Sequence, residues 1–251
     1  MHKPFLICII LVFSLIGNSQ FYYDDSALVS GSSKYLENFY NKTRHDFNVL
    51  YNGPFHYAYP VIKQGSPYFS GEAWQKGSVT YEDIIYDNVL MKYDLVKDQL
   101  IVMVEEKGHL PLELFSPRIK EFSYKDLKFI YIPRNSPLSL KEGFYHQLSK
   151  GKITALCKTE NTMEQIIVDD KIEWKVNQRK KYFIIDNNHS RTINRQRDLM
   201  EAVKNHRQQI SNYLKERKLK FKKNKEQVIT AATDLYNKLE KQGNEDDSGG
   251  K

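Results

Sequence analysis

An apolar run of twelve residues, Phe5 to Ile16, stands behind Lys3 and ahead of the small-residue triplet Gly17-Asn18-Ser19. That arrangement decides where the rest of the chain has to fold. A basic start, a short apolar stretch and small residues behind it form the pattern of a secretory signal. The run falls short of the roughly 20 apolar residues that cross a bilayer. The expectation is a signal peptide over residues 1–19, cut before Gln20, and an exported body with no transmembrane anchor after cleavage. The periplasm is its expected compartment, and secretion is the alternative. Cys8 lies inside the signal, so Cys157 is the only cysteine of the processed chain and no intramolecular disulfide can staple it. With Ser19-Gln20 at the cut, no cysteine is placed for lipid attachment. The chain must therefore stand on an apolar core, for which it is long enough. Cys157 closes the apolar run Ile153 to Cys157 and reads as a buried thiol.

Four stretches follow the signal. Residues 20–48 are polar and aromatic, with a short helix expected around Tyr35, Leu36, Phe39 and Tyr40. Residues 49–190 read as one antiparallel β domain. Its opening, from Asn52 to Lys76, is too rich in Gly, Pro and rings for regular structure. Beyond it come short β-branched and aromatic segments: 79–81, 84–86, 89–93, 99–104, 110–115, 119–124, 127–132, 143–148, 153–157 and 182–186. Leu100 to Val104 is apolar on both faces, so that strand should be covered on both sides. Residues 191–242 carry two helical periodicities, one through Leu199, Val203, Ile210 and Leu214 and one through Val228, Ala232, Leu235 and Leu239. They predict a helical hairpin joined through Lys218 to Lys223. Residues 243–251 are acidic and glycine-rich and are expected to be disordered. The fold class is α+β, mainly β: an antiparallel meander, barrel or sandwich-like, with a C-terminal helical hairpin. Alternation alone leaves barrel and sandwich open.

Charge is uneven. Residues 20–160 hold 17 Lys and Arg against 17 Asp and Glu, whereas residues 171–226 hold 17 against 6. Arg197, Lys204, Arg207, Lys215 and Lys222 lie in this basic part and are the candidate electrostatic contacts. In an exported protein the anion they meet is an envelope protein or an anionic envelope surface, and not nucleic acid.

Signs of catalysis are sparse. The histidines are scattered without the spacing that brings two imidazoles to one metal. Nucleophile-elbow, phosphate-loop and dinucleotide patterns are missing, so the expectation is no catalytic residue, no metal and no cofactor. Glu82, Asp83, Asp87, Asp94 and Asp98 fall at turns and strand ends, where carboxylates cap backbone amides. The best candidate surface is aromatic: Tyr51, Phe55, Tyr57, Tyr59, Tyr68 and Trp74 lie within 24 positions, interleaved with polar residues. Rings with polar tips suit a protein hot spot or a sugar-stacking platform. The reading is a non-catalytic envelope interaction module. The alternative is a carbohydrate-binding or carbohydrate-active protein using the same rings, with Asp87 or Asp94 as carboxylates.

Leu50-Tyr51-Asn52-Gly53, Trp74, Gly77 to Tyr81, Tyr86 to Val89, Tyr93-Asp94 and Asp98 resemble the opening of a family of uncharacterised exported proteins of Bacteroidota. Tyr213-Leu214-Lys215, Lys218 to Lys222 and Leu235-Tyr236 resemble its end. The resemblance implies a bacterial cell-envelope setting and the same design of β body and helical end. It implies no catalytic residue.

Overall fold

Turn chemistry lays out the sheet. Glu82-Asp83, Asp169-Asp170 and Asn187-Asn188 are adjacent pairs with positive φ, the two-residue turn whose twist matches paired strands. They close β2 (Gln75–Tyr81) on β3 (Ile84–Asp94), β9 (Ile153–Val168) on β10 (Lys171–Asp186), and β10 on β11 (His189–Thr192). The computed structural model describes residues 49–105 and 108–248. The expected signal peptide, the 20–48 segment and residues 249–251 lie outside the described residues. A compact unit begins at Val49.

The remaining strands are β1 (Ile62–Gln64), β4 (Gln99–Val104), β5 (Leu110–Glu113), β6 (Ile119–Tyr124), β7 (Leu127–Ile132) and β8 (Gly143–Ser149). All eleven form one sheet, in the order β1-β10-β9-β8-β7-β6-β2-β3-β4-β5, with β11 beside β10. Pairing is antiparallel except between β1 and β10. The segments expected at 84–86 and 89–93 are one strand, with a register shift opposite Gly77 and Val79.

The sheet curls, and its concave face is packed with rings. Phe122 and Phe129 are cross-strand partners stacked at 4.7 Å, and Phe144 meets Phe122 edge-on at 5.1 Å. Each such pair contributes about 0.5–1.5 kcal/mol beyond area burial. Leu100, Ile101 and Val102 are fully buried, as the two-sided apolar pattern of β4 requires. A buried lysine draws the curl together. Lys158 on β9 donates to Asp98 in the β3–β4 turn and to the Phe144 carbonyl at 3.0 Å, while Tyr93 donates to the same Asp98 carboxylate. Burial holds the Lys158 ammonium below its ordinary value, with Asp98 opposing that shift.

Helices cover the part of this sheet that the curl leaves open. Ile153, Ala155 and Cys157 on β9 and Tyr182 and Ile184 on β10 pack against Leu199, Val203, Ile210, Leu214, Val228 and Ala232. These belong to α1 (Gln196–Ala202), α2 (Arg207–Glu216), α3 (Lys225–Ser248) and the turn between α1 and α2. The first half of the expected hairpin is thus two helices. A 3-10 turn at Lys204–His206 separates them, and Leu199, Val203 and Ile210 are all buried. Asn237 pins α3 to β9, accepting from the Ile153 amide at 2.9 Å and donating to the Ile153 carbonyl at 2.9 Å. Helix α3 continues to Ser248, so the stretch expected to be disordered from residue 243 is helical over its first six residues.

Two features of the fold depart from the sequence pattern. Strands β9 and β10 run sixteen residues each, far past the expected 153–157 and 182–186, as a hairpin arm. The irregular segment after Asn52 also acts as a tie. It pairs with β5 at its start and supplies β1 to β10 in its middle, so one stretch of chain links both ends of the strand order.

Candidate functional site

The aromatic segment is a strap with three anchorages. At the first, the Glu113 amide donates to the Pro54 carbonyl at 2.8 Å and the His56 amide donates to Pro111 at 2.9 Å. Gly53 makes this approach possible, because the Glu113 carbonyl occupies the space a Cβ would need. The second anchorage is β1 on β10. At the third, Leu95 donates to Pro67 and Phe69 donates to Tyr93, both at 2.8 Å.

Beneath the strap lies a polar chain that the sequence did not reveal. His56 Nδ1 meets Glu113 Oε1 at 2.8 Å, and His56 Nε2 meets the Tyr68 hydroxyl at 2.9 Å. In the neutral ring Nδ1 donates to the carboxylate and Nε2 accepts from the phenol. Lys97 donates to the same Glu113 oxygen at 2.7 Å. Burial pushes the Glu113 carboxyl up, but the hydrogen bonds from Lys97 and His56 prevail and hold it below its ordinary value. Burial, with the nearby carboxylates Glu72, Asp94 and Glu113, pushes the Tyr68 phenol up to about 12. Tyr59 donates to Asp94 Oδ2 at 2.7 Å, and burial with this bond raises its phenol. Asp94 also accepts the Val96 and Lys97 amides at 2.8 and 2.9 Å. Lys92 sits 4.6 Å over the Tyr68 ring and 4.9 Å over Trp74.

The six candidate rings therefore divide. Tyr68 is 7% exposed and belongs to the fixings of the strap, not to its outer surface. Tyr51 is half-buried against the core, Tyr59 is half-buried above Asp94, and Trp74 is half-buried beside Lys92. Phe55 and Tyr57 face outward together, edge to face at 4.9 Å, with Tyr57 76% exposed. Asp87 and Asp94 do not come together. Asp94 is fully buried and committed to three donors, while Asp87 lies seven residues back along β3, about 23 Å away at strand rise. Glycosidase pairs stand at most about 9.5 Å apart.

Cys157 is buried between its cross-strand neighbours His146 and Tyr182. Burial pushes its thiol up to about 11, which keeps it protonated and unreactive. Glu226 on α3 accepts from Lys180 at 2.7 Å and from the Tyr182 hydroxyl at 3.2 Å. Among the described residues no group of three or more His, Cys, Asp or Glu is placed to hold a metal ion, and no helix is long and apolar enough to cross a membrane. The five basic candidates are all exposed: Arg197 on α1, Lys204 in the 3-10 turn, Arg207 and Lys215 on α2, and Lys222 before α3. They spread over the helical layer.

No protein-family model, curated protein or solved structure matches this chain.

Proposed function

We propose that this protein is a non-catalytic, exported cell-envelope interaction module that presents Phe55 and Tyr57 to an envelope partner. The resemblance to exported Bacteroidota proteins supports the same setting. The observation that carries the reading is the exposed ring pair on a strap hydrogen-bonded to β5, β10 and β3. Rigid aromatic area offered to solvent costs little conformational entropy on binding, which is what an interface anchor needs. The half-buried Glu113, with the buried His56 and Tyr68 it leads to, supports the reading from below. Both ring nitrogens of His56 bond to groups that fix the strap, which supports a positioning role for the imidazole. The exposed lysines and arginines of the helical layer add attraction to an acidic partner and set the salt dependence of docking.

A photo-crosslinking residue at position 57, introduced in cells and followed by envelope fractionation, tests this. A discrete adduct with one envelope protein, and loss of that protein on copurification with Tyr57→Ala, is the expected result. Charge reversal at Arg207 and Lys215 should lower retention at low salt and leave it unchanged at high salt. Undiminished copurification with Tyr57→Ala refutes the surface assignment. Glycan binding that Tyr57→Ala abolishes, with no protein adduct, replaces it with the carbohydrate-binding reading.

A further inference from the structure

The β9–β10 arm leaves an open strand edge. Opposite β8, β9 is paired only through Ala155 to Cys157, and at Asn161 its amide still reaches the Leu95 carbonyl at 3.0 Å. From Thr162 to Val168 no described strand pairs with its outer side. The tight turn at Asp169-Asp170 makes Val168 and Lys171 a mutually bonded pair, so alternate residues Thr162, Glu164, Ile166 and Val168 bond inward to β10. Met163, Gln165 and Ile167 then aim their N–H and C=O groups outward, with the same parity as Asn161.

Natural edges of this kind are blunted by proline, lysine or a bulge. This one has none of them. Its single charge, Glu164, is met within the arm by Lys175 at 3.7 Å. Ile167 is 78% exposed, opposite Ile172 at 69%. We propose that the occupant of this edge is a second copy of the same chain, paired antiparallel about a two-fold axis through Gln165.

Symmetry and charge select that occupant and that register. An antiparallel pair of identical edges is self-complementary, as a two-fold interface must be. Centring it on Gln165 sets Met163 against Ile167 of the other copy and satisfies all three outward residues on each side. It places Glu164 opposite Ile166, and no like charges face each other. Shifting the centre to Glu164 opposes two carboxylates, which is unfavourable. The result is one continuous sheet through both arms, carrying Met163, Ile167 and Ile172 of each copy on a shared face.

Sedimentation equilibrium of the processed chain tests this directly. A reversible monomer–dimer equilibrium is expected, weakened at least about tenfold by Ile167→Lys and by Gln165→Pro, which deletes one outward donor and no bond to β10. Tyr57→Ala leaves the equilibrium unchanged, so this result is separable from partner capture. Gln165→Cys should form a disulfide-linked dimer under mild oxidation, whereas Glu164→Cys should not. A wild-type chain that stays monomeric at every concentration overturns the proposal, as does a dimer indifferent to both edge variants or equal cross-linking at 164 and 165.

Discussion

Removing Glu113 should loosen the strap selectively, and the size of the effect follows from what the carboxylate satisfies. In Glu113→Ala the His56 ring, itself only 5% exposed, loses the acceptor at Nδ1. An unsatisfied buried donor costs about 1–3 kcal/mol. Lys97 is 42% exposed and recovers water when its partner goes, so its share is under about 0.5 kcal/mol. The sum is about 2 kcal/mol, and for a folded unit of this size that lowers Tm by about 4–8 °C. Glu113→Gln, which keeps an acceptor, should lose about half as much, and Lys97→Ala less than about 2 °C. The wild-type protein should follow the same logic with pH. A carboxyl held below its ordinary value of 4.5 stabilises the fold above that pH. Its contribution then fades as the pH falls through the folded-state value. Calorimetry gives the Tm series, and hydrogen exchange should show the His56 and Glu113 amides opening first. A Glu113→Ala protein within 1 °C of wild type at pH 7, or a Lys97→Ala loss equal to it, refutes the assignment of the strap to the His56–Glu113 bond.

Three further outcomes follow from geometry already described. Asn237→Ala strips the Ile153 amide and carbonyl of their partner and should destabilise by about 2–3 kcal/mol in chemical denaturation, with the helical signal of α3 lost first. Gly143→Ala should cost about 3 kcal/mol, because Gly143 has φ +129 and the Asp98 carboxylate and Lys158 ammonium fill the place of its Cβ; soluble yield with wild-type Tm would contradict this. Cys157 should resist a thiol reagent at pH 8 in the native protein and react at once in denaturant, and prompt native labelling would show that the site is open.

Much of the β body was legible because turns declare themselves locally. Glu82-Asp83 and Asp98 adopt the positive φ that their turn roles require, and the strands between them end within a few residues of where the apolar alternation does. The arm was illegible for the opposite reason. From Thr162 to Lys175 the two strands are held by each other more than by a core, so the sequence carries charge and polarity where a buried face would have left alternation. The strap was half legible. Its Gly, Pro and rings excluded regular structure, but nothing local in Ile62–Gln64 announces a parallel partner at Trp174 and Lys175. Ring composition located the candidate surface without ranking it. Whether Tyr57 or Tyr68 faces water depends on which ring meets His56, and that is a tertiary fact.

The tie between β1 and β10 has a kinetic consequence. Apart from β2 with β6, strands β2 to β9 meet neighbours a short stretch of chain away and can zip as each emerges, but Ile62 must wait for Trp174, more than a hundred positions later. Closure is thus the strand pairing of longest sequence separation among the described residues, and such steps are slow. A nascent or truncated chain ending before Trp174 grips its strap at β5 and β3 only, and the β9 rim of the growing sheet stays adhesive until the last long strand arrives.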